Sequence, residues 1–181
     1  MRILGIDPGS SATGYGVVDF VGRRATHVAH GVIRAARNAP LAERLARIHA
    51  HLVELAIEHR PDVAVVEKVF MASNARSALV LGQARGAALA ALAGQGLDVH
   101  EVSAREVKKA VAGTGAADKK QVQYMVSRLL NLDRSPPSDA ADALAIALFQ
   151  AHGGRLAGMG VRSGRRRLRD AANGLLAREV R

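Results

Sequence analysis

Apolar residues run almost without interruption from Ile3 to Ile6 and stop at Asp7, and Pro8-Gly9 follows directly as a turn signal. A short, continuous apolar run closed in this way reads as a buried strand. Residues 13–20 and 25–34 read as two further strands joined by the tight segment Val21-Gly22-Arg23-Arg24. The opening of the chain therefore predicts an antiparallel meander. From Pro40 the spacing changes: Leu41, Leu45, Ile48, Leu52, Leu55 and Ile57 recur at roughly helical intervals, and the segment ends before Pro61. Val63 to Val66 is then a second apolar run, ending in Glu67, so two strands end in acids.

Ser73 is a good N-cap for a long Ala-rich helix running to about Ala93, in which Gly82 and Gly86 would allow close approach of another element. A helix apolar on so many sides is expected to be central or to lie in a subunit interface. Residues 97–102 predict a fifth strand, Ser103 caps a helix to about Ala112, and Gly113-Thr114-Gly115 separates it from another over 117–130. After Pro136-Pro137, Ser138 caps the last clear helix, DAADALAIALFQAH, whose Leu144, Ile146, Ala147 and Leu148 face a core. Beyond Gly153-Gly154 the chain is rich in Gly and Arg, with the run Arg165-Arg166-Arg167, which predicts a flexible basic tail over 153–181 with one short helix near Leu175.

This order gives an α/β fold, a mixed sheet with helices on both faces. Right-handed crossovers put the carboxyl ends of the first and fourth strands on one edge of the sheet. If those strands are neighbours, Asp7 and Glu67 meet.

A length of 181 residues suits one domain with a substantial core. No apolar run reads as long enough to cross a bilayer, and the start MRILGID places an acid where a secretory signal needs its apolar centre, so a cytoplasmic protein is expected. The absence of cysteine excludes a disulfide scaffold, a thiolate zinc site and a cysteine nucleophile. Carboxylates and histidines are left as metal ligands, and such a set favours a hard cation. The net charge of +10 is unevenly spread, since residues 151–181 carry 8 Lys and Arg against 2 Asp and Glu. That balance favours a polyanionic partner, nucleic acid before an anionic membrane surface. Three Phe and two Tyr are too few for a single-strand binder built on stacked bases.

The last helix opens with Asp139 and, three residues on, Asp142, both on one face of its first turn. Taken singly, each acid has an ordinary explanation. Acids favour helix N-termini, Asp7 could accept turn amides, and Glu67 could be a solvated strand end. Together, four carboxylates converging from two strand ends and one helix start would repel one another unless a cation lay between them. Mg²⁺ needs few protein carboxylates and leaves positions for water and phosphate oxygens. Two such ions, about 3.5 to 4 Å apart, suit in-line phosphoryl displacement. Gly9 and Gly14 would then let the first hairpin turn tightly beside the site and leave room for a DNA backbone.

The segments GIDPGSSATGYGVV, VVEKVFM and SDAADALAIA, in this order and spacing, resemble the RuvC Holliday-junction resolvases of the RNase H-like superfamily over about residues 1–152. The resemblance implies an RNase H-like five-stranded sheet, three antiparallel strands then two parallel, in a nuclease domain over 1–152. It implies a homodimeric, Mg²⁺-dependent endonuclease, with two ions per site and Mn²⁺ as a substitute, that nicks four-way DNA junctions in recombination and repair, with RuvA and RuvB as branch-migration partners. By matching positions, Asp7, Glu67, Asp139 and Asp142 are its catalytic, metal-holding carboxylates. Phe70 corresponds to an aromatic that stacks on an unpaired base at the junction centre. Lys108 and Lys119 match basic positions near the scissile phosphate, with Lys109 and Lys120 as neighbours one place away. Arg76 and Arg85 are candidates for DNA-backbone contacts. Lys68 stands where the family pattern leads us to expect a neutral glutamine.

Two other readings compete. Asp7 with Gly9 and Thr13-Gly14 also resembles the first phosphate-binding turn of actin-like ATPases and sugar kinases, which need a second such turn and a second lobe that this chain lacks. A non-catalytic junction-binding protein on the same fold is the other, and acids at all four positions speak against it.

Overall fold

The computed structural model describes residues 1–68 and 74–157. Three strands, β1 (Arg2–Asp7), β2 (Ala12–Val21) and β3 (Arg24–Arg34), form the expected meander, followed by helix α1 (Leu41–His59) and strand β4 (Val63–Lys68). Helix α2 (Ala75–Gly94), strand β5 (Asp98–Ser103) and helices α3 (Ala104–Ala112), α4 (Lys119–Leu129) and α5 (Ser138–Ala157) complete the fold. The strand order is β3-β2-β1-β4-β5. β1 pairs antiparallel with β2 and parallel with β4, and β4 pairs parallel with β5. The mixed sheet is therefore the one expected, and β1 and β4 are neighbours.

Alternation of side chains along the strands builds one core on each face. On one side Leu4, Ile6 and Val66 pack with Ile48 and Leu52 of α1 and Ala88 and Leu92 of α2. On the other, Ile3, Val63 and Val65 pack with Val107 of α3, Val122 and Val126 of α4, and Leu144 and Leu148 of α5. Each fully buried side chain of this size stabilises the fold by about 1.5–3 kcal/mol.

Helix α5 lies flat on a bed of glycines. Gly5 and Gly16 face each other across β1 and β2, and a Cβ on either would come within 2.8 Å of an α5 backbone nitrogen, that of Ala147 or Leu144. No such approach is open to a sheet surface of larger residues.

Several element details differ from the sequence reading. The N-cap of α2 is Asn74, whose side chain accepts from the Ser77 amide. Helix α4 starts at Lys119, because Asp118 and Gln121 form a capping box there. Helix α5 continues past His152 to Ala157, and the basic segment beyond it lies outside the described residues. Ile57 is 61% exposed; its neighbours Leu55 and Ala56 face the core. The Ala-rich α2 is not central. It buries Ala84, Ala88, Ala91 and Leu92 and leaves Leu79 70% exposed. By length and composition alone α2 could also cross a bilayer, contrary to the sequence reading; 22% of its most apolar stretch is buried, and the helix carries Arg76 and Arg85.

Candidate active site

The parallel register of β1 and β4 pairs Ile3 with Val63 through to Ile6 with Val66. Asp7 and Glu67 each follow the last of those pairs, at the carboxyl ends of adjacent strands. Period-two alternation puts both on the face of Gly5, Val63 and Val65, the face that α5 covers. The sheet thus brings the first two acids together without help from any loop.

The second pair arrives with α5, through Gly14. This glycine lies opposite Asp7 in the β1–β2 ladder. A Cβ there would collide with the Asp139 carbonyl oxygen and come within 3.2 Å of the Ala140 nitrogen. The first turn of α5 therefore rests directly on β2, and its acids are delivered beside Asp7. Gly9 does the work expected of both glycines, since a Cβ on it would strike the Ala12 carbonyl inside the turn. Buried Thr13 closes that turn, its hydroxyl donating to the Gly9 carbonyl at 2.8 Å and accepting from the Gly9 amide at 3.3 Å.

The electrostatics show four acids in one neighbourhood. Burial, then the charges of Glu67, Asp142 and Asp139, push the Asp7 carboxyl up to about 8, against an opposing pull from Lys119. Glu67 is raised by burial and by Asp142, and Asp142 by burial and by Asp139; Lys119 and Lys108 oppose both shifts. Lys119, the first residue of α4, places its Nζ 3.5 Å from Asp142 Oδ2. Of the adjacent lysine pairs it is thus Lys119 and Lys108 whose charges act on the acids. Among the described residues no three acidic or histidine side chains are gathered closely enough to clasp an ion as they stand. The donor set itself, four carboxylates with a lysine at the rim, matches hard divalent cations.

The remaining candidates separate. Phe70 lies outside the described residues. Arg76 is exposed on the first turn of α2. Arg85 is engaged in an ion pair with Glu101 of β5. Lys68 points to the opposite face of β4 from Glu67, and its charge is felt by Glu106, the capping acid of α3.

These shifts make stability depend on pH. Folded Asp7 keeps its proton up to about pH 8 whereas an ordinary aspartate releases it near 3.8. Between those values the native state binds more protons, so stability falls as pH rises. In chelator, the melting temperature should drop from pH 5 to pH 8, and Asp7→Asn should flatten that slope and raise the melting temperature at pH 8. Parallel slopes for the two chains, followed by circular dichroism, would remove Asp7 from the cluster.

Comparison with known proteins bears directly on this arrangement. Residues 3–150 match the family model for the crossover junction endodeoxyribonuclease RuvC. The RuvC proteins of Marinobacter nauticus and Bordetella parapertussis are 57% and 56% identical to this chain over 150 and 156 residues, 83% and 86% of it and 85% and 86% of theirs. A Thermus thermophilus RuvC structure in complex with a Holliday junction substrate superposes with a TM-score of 0.81 at 38% identity, covering 87% of this chain and 96% of that one. The yeast mitochondrial Holliday junction resolvase Ydc2, at 13% identity and a TM-score of 0.61, shares the fold. With a matched model across most of its length, relatives more than half identical, and acids grouped at the carboxyl edge of β1 and β4, this chain belongs to the RuvC family of crossover junction endodeoxyribonucleases.

Proposed function

We propose that the protein is a structure-selective, metal-dependent endonuclease that resolves four-way (Holliday) DNA junctions by paired nicks, leaving 5′-phosphate and 3′-hydroxyl ends. The observation that carries this reading is the grouping of Asp7, Glu67, Asp139 and Asp142 at one sheet edge in a chain of this family. Acids that raise one another's pKa are costly to hold together, and a cation binding site is the use that offsets the cost.

In this reading Asp7, Glu67, Asp139 and Asp142 would together hold two Mg²⁺ ions, with Mn²⁺ as a substitute. Bound there, hard divalent cations supply an activated water and charge stabilisation for the departing 3′ oxygen. Lys119 neutralises charge building on the phosphate, and its contact with Asp142 keeps it at the site. Lys108 adds positive potential at the same edge, Phe70 stacks on an unpaired base, and Arg76 contacts the DNA backbone at the start of α2.

Paired nicking requires two sites, hence a homodimer. The exposed face of α2 supports this: Leu79 is open to solvent, and Gly82 and Gly86 have nothing within 4 Å of a Cβ position, so a second backbone could approach closely. Acting on chromosomal junctions, the enzyme would work in the cytoplasm alongside RuvA and RuvB.

The decisive measurement is nicking of a synthetic four-way junction and of a duplex of the same sequence, with Mg²⁺ and with chelator. Symmetric nicks in the junction only, dependent on Mg²⁺ and sealed by a DNA ligase, are expected. Junction binding with no cleavage in Mg²⁺ or Mn²⁺ would favour a non-catalytic binder instead.

A further inference from the structure

The turn that follows Asp7 is held from the opposite side of the sheet. Arg44, in the first turn of α1, donates through Nε to the Ser10 carbonyl at 2.9 Å and through Nη2 to the Ser10 hydroxyl at 2.5 Å. A guanidinium presents its donors as a rigid planar fork, so two bonds to one residue fix orientation as well as distance. The turn's other ties are made within the meander and the segment leaving it. Thr13 holds Gly9, and the Ala35 amide donates to the Ser11 carbonyl at 3.0 Å. Among the described residues Arg44 alone ties the turn to a helix by a side-chain hydrogen bond, and it does so across 34 residues of sequence.

Helix α1 is itself firmly seated, with Ile48 and Leu52 fully buried against the sheet. Arg44 therefore transmits the position of a rigid element to the residues between Asp7 and β2. Its charge is not among those that move the Asp7 carboxyl, which responds to burial, the three other acids and Lys119. Geometry is the route by which it can act.

We propose that Arg44 is a positioning residue for strand scission, which by clamping Ser10 fixes the turn that leaves Asp7 at the end of β1 and so holds the edge of the site in place. The proposal rests on the nuclease reading above. A reacting group displaced by about 1 Å can lose on the order of 100-fold in rate, and a turn released from its clamp gains that freedom.

Arg44→Ala should lower the single-turnover nicking rate about 10- to 100-fold while junction affinity and its salt dependence stay as in wild type. Arg44→Lys keeps the charge but loses the fork and should recover little. Ser10→Ala, which leaves the carbonyl acceptor, should cost less, and combined with Arg44→Ala it should add nothing, because the two act as one unit. Backbone amide exchange over residues 9–12 should quicken in Arg44→Ala, a readout independent of any activity. The inference is overturned if Arg44→Ala nicks at the wild-type rate or if the two losses multiply. It is equally overturned if Arg44→Lys restores activity and Arg44→Ala flattens the salt dependence, the signature of a direct phosphate contact. If wild type does not nick junctions, the nuclease reading fails on its own, and unchanged exchange in the turn would overturn the clamp separately.

Discussion

Asp7→Asn is expected to reduce junction nicking by more than about 10³-fold, beyond the 10–100-fold typical of a residue that only supports a metal ligand, and to leave junction affinity within a few-fold of wild type. The substitution is nearly isosteric, so β1 and its turn keep their shape. What disappears is a negative charge on which three other acids bear. If Asp7 holds metal as proposed, its loss weakens metal binding at the site, so the defect should appear in the cleavage step and be only partly rescued by raised Mg²⁺. Burial, then the neighbouring acids, push the Asp7 carboxyl up to about 8, so its replacement by a neutral side chain relieves that cost in the metal-free chain. Lost activity with gained stability at pH 8 is a combination that a merely structural aspartate would not give. A variant that cut junctions at the wild-type rate would take Asp7 out of the mechanism.

The carboxylates were legible in the sequence because each ends or begins an element whose signal is local. The apolar runs before Asp7 and Glu67 mark strand ends, and the spacing of Asp139 and Asp142 marks one helix face. The handedness of crossovers puts the carboxyl ends of β1 and β4 on one edge, but that the two strands adjoin is read only from the sheet order. What stayed hidden depends on which surfaces meet. Gly14 looked like a turn residue because nothing local shows that α5, more than 120 residues later, rests its Asp139 carbonyl upon it. The pairing of Arg85 with Glu101 on β5 likewise has no local signal. Arg44 carries no signal beyond its place in the first turn after Pro40, since its partner Ser10 belongs to another element. The Ala-rich composition of α2 fitted a core helix equally well, and only the fold assigns the centre to α5 and the rim to α2.

Gly14→Ala is the second large effect expected. The added methyl meets main chain, the Asp139 carbonyl and the Ala140 nitrogen, which cannot swing aside as the end of a flexible side chain would. Either β2 bends away from α5 or the first turn of α5 lifts from the sheet. Overpacking of this kind costs about 1–3 kcal/mol, occasionally more, and the melting temperature should fall accordingly. Lifting α5 also moves Asp139 and Asp142 relative to Asp7 and Glu67, so nicking should fall on the order of 100-fold at temperatures where the chain is still folded. Gly94→Ala serves as the contrast: its Cβ would meet nothing within 4 Å at the end of α2. It should leave nicking unchanged and raise stability by up to about 0.5–1 kcal/mol, the ordinary helical difference between glycine and alanine. The two substitutions add the same methyl group, so any difference between them measures the close approach of α5 to the sheet. If Gly14→Ala melted like wild type and nicked at full rate, close contact at β2 could not be what carries the second pair of acids to the first.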